Sequence, residues 1–259
     1  MKLTLPLEIA KDYSNPAQQI RVMTEHWVNH SAFCPSCGSE LMQFENNKPV
    51  ADFYCGNCSE EYELKSKNGN VGKKIVDGAY ATMITRLLSD NNPNFFFLTY
   101  DKSTLGIRNF LTIPKYFFVP NIIEKRKALS LSAQRAGWIG CNIDISNIPE
   151  IGKIFFVQNG IVKSRDEVLD KWSKTEFVKS TGGIEAKGWL LDVLVCVERI
   201  KKQEFSLDDV YGFEAHLQAK HPENHNVKAK IRQQLQFLRD RNVIEFVGRG
   251  QYRMKLTNE

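Results

Sequence analysis

Residues 49–67 read PVADFYCGNCSEEYELKSK, and two kinds of metal chemistry overlap within them. Cys55 and Cys58 form one Cys-x-x-Cys pair. Its counterpart, Cys34-Pro-Ser-Cys37, precedes it with seventeen residues between the two pairs. A two-residue gap lets both sulfurs of a knuckle reach one ion, so the two pairs predict a four-thiolate zinc site closing a loop over 31–58. Four thiolates leave zinc no open position, which makes its expected role structural. A redox dithiol would instead sit beside a βαβ pattern, and none is evident here.

Threaded through the same stretch are Asp52, Glu63 and Lys65. Residues 60–66 alternate, with Tyr62 and Leu64 on one face and Glu61, Glu63 and Lys65 on the other, as in a half-buried strand. Hydrolysis of a phosphodiester needs charge offset on the phosphorane oxygens and a hydroxide-like nucleophile, and magnesium held by a few hard oxygens supplies both. Asp52, Glu63 and the carbonyl of Leu64 offer three such oxygens. Lys65, on the strand face of Glu63, can orient the attacking water. Charged residues also alternate on many solvated strands, so the triplet alone leaves a wet, non-catalytic face open.

Outward from this core, Asn15-Pro16 reads as a cap and first turn of a helix to about residue 29, carried by Ile20, Met23, Trp27 and Val28. Ile75, Ala79, Met83 and Leu87 predict the next helix, stopped at Asn91-Asn92-Pro93-Asn94. FFFLTY (95–100) is too apolar for an edge and too short for a helix, so it reads as a central strand. Strands are expected near 108–113 and 153–158, giving a mixed α/β core. The segment 159–183 loses periodicity and reads as a linker ending in Thr181-Gly182-Gly183.

Beyond it, the expected helices are 184–200, 207–220 capped by Ser206 and closed by Pro222, and a third capped by Asn226. That third helix buries Val227, Ile231, Leu235 and Leu238. Two short strands around Gly248-Arg249-Gly250 complete a winged helix-turn-helix. The expected domains are 1–182 and 183–259.

The chain has 259 residues, 42% of them hydrophobic and 25% charged, enough for a sizeable core without disulfides. Net charge is a mild +5. Residues 184–224 lean acidic, whereas 225–255 are strongly basic, as a phosphate-binding face requires. No secretory leader or membrane-length apolar run is visible, so reduced thiols and a cytoplasmic setting are expected. Cys141 and Cys196 read as inert core thiols. The five histidines have no metal spacing to the cysteines and read as ordinary residues.

The blocks PVADFYC, CSEEYELKSK and CPSCG resemble the DpnI-type, or Dam-replacing, family of restriction endonucleases. So do the later DGAYATM, DNNPNFFFLTY, RAGWIGCNID, IRQQLQFLRD and EFVGRGQYR. The likeness spans most of the chain and is weakest in 1–13, 101–130 and 159–183. It implies a PD-(D/E)xK nuclease core with a zinc loop and a C-terminal winged helix. It implies magnesium-dependent cleavage of double-stranded DNA at GATC when the adenine carries an N6-methyl group, in a bacterial cytoplasm. Onto this sequence it carries Asp52, Glu63 and Lys65 as catalytic residues and Cys34, Cys37, Cys55 and Cys58 as zinc ligands. The spacing Pro-Val-Ala-Asp, which separates the proline from the aspartate, is shared by the family.

For DNA, the third C-terminal helix offers Asn226, Lys228, Lys230 and Gln233 near its start, where recognition helices meet base edges. Gln234 and Gln236 are further candidates for adenine. Arg232 and Arg239 suit phosphates, and Arg249, between two glycines, suits close backbone approach. Glutamines here also fit a merely solvated face. Trp138, following Arg135 and Gly137, is the candidate aromatic for an apolar methyl cup, with a core tryptophan as the alternative. No obligate protein partner is evident, and a monomer is expected. Two rival functions remain: a non-catalytic reader of methylated DNA built on the same winged helix, and a zinc-bearing repair nuclease indifferent to methylation.

Overall fold

The computed structural model describes residues 1–45, 51–89 and 92–255. Pro49, Val50 and Asn91, used above, lie outside that set. In chain order the elements are α1 (Pro16–Ser31), β1 (Met42–Gln43), β2 (Phe53–Tyr54), β3 (Glu61–Asn68), β4 (Lys74–Ala79) and α2 (Tyr80–Leu87). There follow β5 (Asn94–Tyr100), β6 (Ile107–Ile113), β7 (Ile123–Lys125), β8 (Gly140–Asp144), β9 (Ile154–Gln158), β10 (Ile161–Val162) and α3 (Arg165–Ser173). The C-terminal part comprises α4 (Ile184–Ile200), β11 (Glu204–Ser206), α5 (Leu207–Tyr211) and α6 (Glu214–Lys220). It ends in α7 (Val227–Asp240), β12 (Ile244–Gly248) and β13 (Gln251–Met254). The chain divides into two compact units.

The first unit comprises Met1–Ile75, Ser89–Lys115 and Lys153–Thr175. Its sheet runs β1-β2-β3-β5-β6-β9-β10, and β3 and β5 are its parallel pair, with Glu63 opposite Phe95 and Lys65 opposite Phe97. All seven residues of β5 are buried, as a central strand covered on both faces requires. Phe96 anchors the core: it stacks on Tyr62 with centroids 4.5 Å apart and meets Phe110 at 5.1 Å. Trp27 of α1 and Trp172 of α3 bury against the same cluster. The Asn15 side chain accepts from Ala17 N and Gln18 N, so the expected cap on α1 is present.

The second unit comprises Val76–Leu88, Tyr116–Gly152 and Glu176–Glu259. It holds a small sheet, β4-β8-β7, apart from the first two residues of β4, and a second one, β11-β13-β12. Ten consecutive residues of α4, Gly188–Val197, are buried, which marks a helix covered all round rather than on one stripe. Glu198 at its end accepts from Glu150 N at 3.0 Å with both oxygens, and Arg199 reaches Asn147 Oδ1 at 3.4 Å. Asp192, inside the helix, binds Lys220 and His221, and His221 stacks on Trp189 at 3.9 Å. His221 is thus a packed core histidine. Cys141 and Cys196 are both fully buried thiols.

Several expectations need correction. The helix expected from Ile75 begins only at Tyr80, because residues 74–79 pair as β4 against β8. The expected linker 159–183 instead holds β10 and α3. Ser164 caps α3 by accepting from Glu167 N, while Val168 and Trp172 bury its inner face. The single helix expected over 207–220 is two, broken at Gly212-Phe213, although Ser206 and Asp209 do form a reciprocal capping box. Asn226 sits at the start of α7 but makes no side-chain cap bond. The wing gains a third strand, β11.

Candidate functional site

The geometry around Asp52 begins with a strand that stops. β2 pairs with β3 through Phe53–Tyr62 and Tyr54–Glu61, and Asp52 N continues the ladder by donating to Tyr62 O at 2.9 Å. One step further, the Asp52 side chain takes over from the backbone: its Oδ2 accepts from Leu64 N at 2.7 Å. This bond fixes the carboxylate beside the strand that carries Glu63 and Lys65. Glu63 and Lys65 pair across that strand face, Nζ to Oε1, at 2.6 Å.

Asp52, Glu63, Leu64 and Lys65 line one cleft of about 280 Å³, together with Arg21, Thr24 and Glu25 of α1. Burial raises the pKa of Asp52, with further upward pressure from the Glu25 and Glu63 carboxylates. The Leu64 N–H and the Lys65 ammonium oppose the shift. Glu25 was not anticipated from sequence. It is 8% exposed, takes Arg21 Nε at 2.6 Å and Gln43 Nε2 at 3.1 Å, and adds a third carboxylate to the cleft. Its only trace in the sequence is a charged residue on the inward stripe of α1, between Met23, Trp27 and Val28.

The four sulfurs of Cys34, Cys37, Cys55 and Cys58 lie within 4.8 Å of one another, and none is in a disulfide. Zinc–thiolate bonds of about 2.3 Å in a tetrahedron separate sulfurs by under 4 Å, so the cluster fits zinc. Backbone N–H groups of Ser36 and Cys37 turn toward Cys34 Sγ, as expected for a knuckle. The two knuckles close alike. Gly38 N donates to Cys34 O at 2.7 Å and Ser59 N to Cys55 O at 2.9 Å, with left-handed φ of 81° and 59°. Arg165 at the start of α3 donates to Gly38 O. The loop starts at Ala32, since α1 runs through Ser31.

Tyr62 joins the two sites. Its side chain is fully buried, and its hydroxyl lies 3.1 Å from Cys34 Sγ, while its neighbour Glu63 faces the cleft. A zinc-bound thiolate would accept a hydrogen bond from that hydroxyl, linking β3 to the four-cysteine loop.

In the second unit Asn226, Lys228, Arg232, Gln233 and Arg249 are exposed and Lys230 is half-buried. Lys228 lies 3.4 Å from Glu214 and over the Tyr211 ring, and Arg232 donates to the Tyr211 hydroxyl at 2.6 Å. Arg249 occupies the β12–β13 turn, followed by Gly250 at φ 67°. Gln234 is buried, because it falls on the inner face of α7 with Ile231 and Leu235, and is withdrawn as a base contact. Trp138 is half-buried in the β7–β8 connection. Its ring lies where a Cβ on Gly140 would come within 2.8 Å, so glycine is needed there for the ring to settle.

Among the described residues no helix is long and apolar enough to cross a membrane. A family model described as DpnI, the Dam-replacing family, matches residues 1–181. A second, described as the Dam-replacing HTH domain, matches residues 185–254.

Proposed function

The chain belongs to the DpnI, or Dam-replacing, family, and from that membership we propose a methyl-directed endonuclease that cuts double-stranded DNA at GATC carrying N6-methyladenine. The observation that carries the reading is the common cleft of Asp52, Glu63 and Lys65. Their roles follow from a PD-(D/E)xK arrangement on β2 and β3.

Burial, and then repulsion from the Glu25 and Glu63 carboxylates, raises the pKa of Asp52, which fits a site built for a hard cation. Asp52, Glu63 and the Leu64 carbonyl would hold magnesium. The ion would supply a bound water of lowered pKa and positive charge facing the phosphate. Leu64 N–H keeps Asp52 aimed into the cleft. Lys65 orients the water for in-line attack and offsets charge on the scissile phosphate, leaving a 3′-hydroxyl and a 5′-phosphate. Arg21 holds Glu25 in place behind them. The four-cysteine zinc loop has a bracing role and no part in the chemistry. The protein acts as a monomer in the bacterial cytoplasm.

DNA is gripped by the helix-turn-helix region, with Arg232, Arg239 and Arg249 on phosphates and Asn226, Lys228, Lys230 and Gln233 toward base edges. Trp138 contributes an aromatic wall to the methyl pocket. Incubation with magnesium and plasmid grown with or without adenine methylation tests the reading. Cutting of the methylated plasmid alone is expected. Equal cutting of both would favour a repair nuclease, and binding without cutting a non-catalytic reader.

A further inference from the structure

Between β7 and β8 the chain runs KRKALSLSAQRAGWIG (125–140), and no carboxylate occurs from Lys125 to Ile143. The connection is a built projection rather than a slack loop. Arg126 N donates to Gly140 O at 3.0 Å, Leu129 N to Trp138 O at 2.9 Å, and Gly137 N to Leu129 O at 3.1 Å. Ala133 N closes the tip on Ser130 O at 3.0 Å, and the Ser130 and Ser132 hydroxyls meet at 2.9 Å. At that tip Leu131 is 94% exposed, against 39–66% for the other exposed large apolar side chains. Arg126, Lys127 and Arg135 are all exposed along the same projection.

A leucine so exposed contributes nothing to the packing of its own chain, yet the turn that presents it is held by backbone bonds. Apolar side chains flanked by cations are the means by which proteins part stacked bases: the cations take phosphates while the wedge enters the step. A protein groove or a lipid surface would equally accept leucine. The complete absence of acids over the segment matches a polyanion with regularly spaced phosphates better than a protein groove. On the reading of the chain as a DNA-cutting enzyme, we propose that this hairpin enters the duplex. Leu131 wedges between adjacent base pairs, and Arg126, Lys127 and Arg135 bind the flanking phosphates.

The test uses the full chain with calcium replacing magnesium, and methylated GATC duplexes carrying 2-aminopurine at successive positions. Fluorescence is expected to rise several-fold at one step with wild type and with Leu131→Met. It should stay at the free-duplex level with Leu131→Ala, which still binds. Lys127→Ala should lower the slope of log affinity against log salt by about 0.9, as loss of one phosphate contact predicts. A bound wild-type complex that brightens no position, or a Leu131→Ala complex that brightens as wild type does, overturns the proposal. A protein that brightens a step yet cuts nothing in magnesium keeps the wedge and loses the nuclease reading. Cutting without brightening does the reverse.

Discussion

Asp52 ionises against its surroundings. It is largely withdrawn from water, faces Glu25 and Glu63, and is held by the Leu64 N–H. A folded-state pKa raised above the unfolded one means the native chain binds that proton more tightly. Its contribution to stability is therefore best below the ordinary carboxylate range and falls as pH rises through the raised value. Asp52→Asn should accordingly raise the melting temperature of metal-free protein at pH 7 while removing cleavage, a stability–function opposition common at active sites. Magnesium should raise the melting temperature of wild type and leave Asp52→Asn nearly unchanged, which thermal denaturation with and without the ion would reveal. A fall in the melting temperature of metal-free Asp52→Asn would mean that its hydrogen bond outweighs the charge repulsion. The pairing of Glu63 with Lys65 was legible in the sequence because alternation on a strand puts both on one face. Glu25 was not, because a carboxylate on an apolar helical stripe reads as an irregularity until the facing cleft is seen.

At the level of elements, β3 serves two sites at once. Tyr62 points to the four-cysteine loop and Glu63 to the cleft, so one strand carries a residue of each. Tyr62→Phe removes a hydrogen bond to a thiolate and should weaken zinc retention by about 10–100-fold, the range seen for outer-shell partners of metal ligands. Competition with a chromophoric chelator would measure it. Unchanged retention would show that the hydroxyl serves only packing. The four-cysteine cluster itself was readable from paired cysteine spacing, whose chemistry is indifferent to the surrounding fold. The elements misread are those with weak local periodicity. In 75–87 an apolar residue every fourth position suggested one helix, yet Ile75 is buried and Val76 exposed because β8 offers β4 a pairing edge. In α3 only Val168 and Trp172 are buried, too few for a stripe, although Ser164 and the acidic first turn were present as start signals.

For the whole molecule, the division into compact units assigns Tyr116–Gly152 to the same unit as the C-terminal helices. Glu198, Arg199 and Lys220 engage Glu150 and Asn147, and α4 is buried on all sides. A chain ended at residue 182 would strip that segment of its partners. It should melt well below the full protein and expose apolar surface detectable by dye binding; an unchanged melting profile would contradict this. Local periodicity could not reveal the pairing, which joins residues about 50 positions apart. The proposed methyl dependence also belongs to this scale. Burying one methyl contributes about 0.8 kcal/mol, only a few-fold in affinity, so discrimination has to be compounded across contacts such as Trp138 and the C-terminal helix face.

The central claim is that the Asp52, Glu63 and Lys65 cleft is where the phosphodiester is cut. Cleavage of a methylated GATC duplex by wild type and Asp52→Ala, at matched occupancy established by gel shift, tests it most directly. Wild type should cut in magnesium, and Asp52→Ala should bind the duplex comparably while losing about 10²–10³-fold or more in rate, since the loss of one charge-stabilising group costs about 10²–10³-fold and Asp52 would also hold the ion. Asp52→Ala turning over at a rate near wild type would contradict the account.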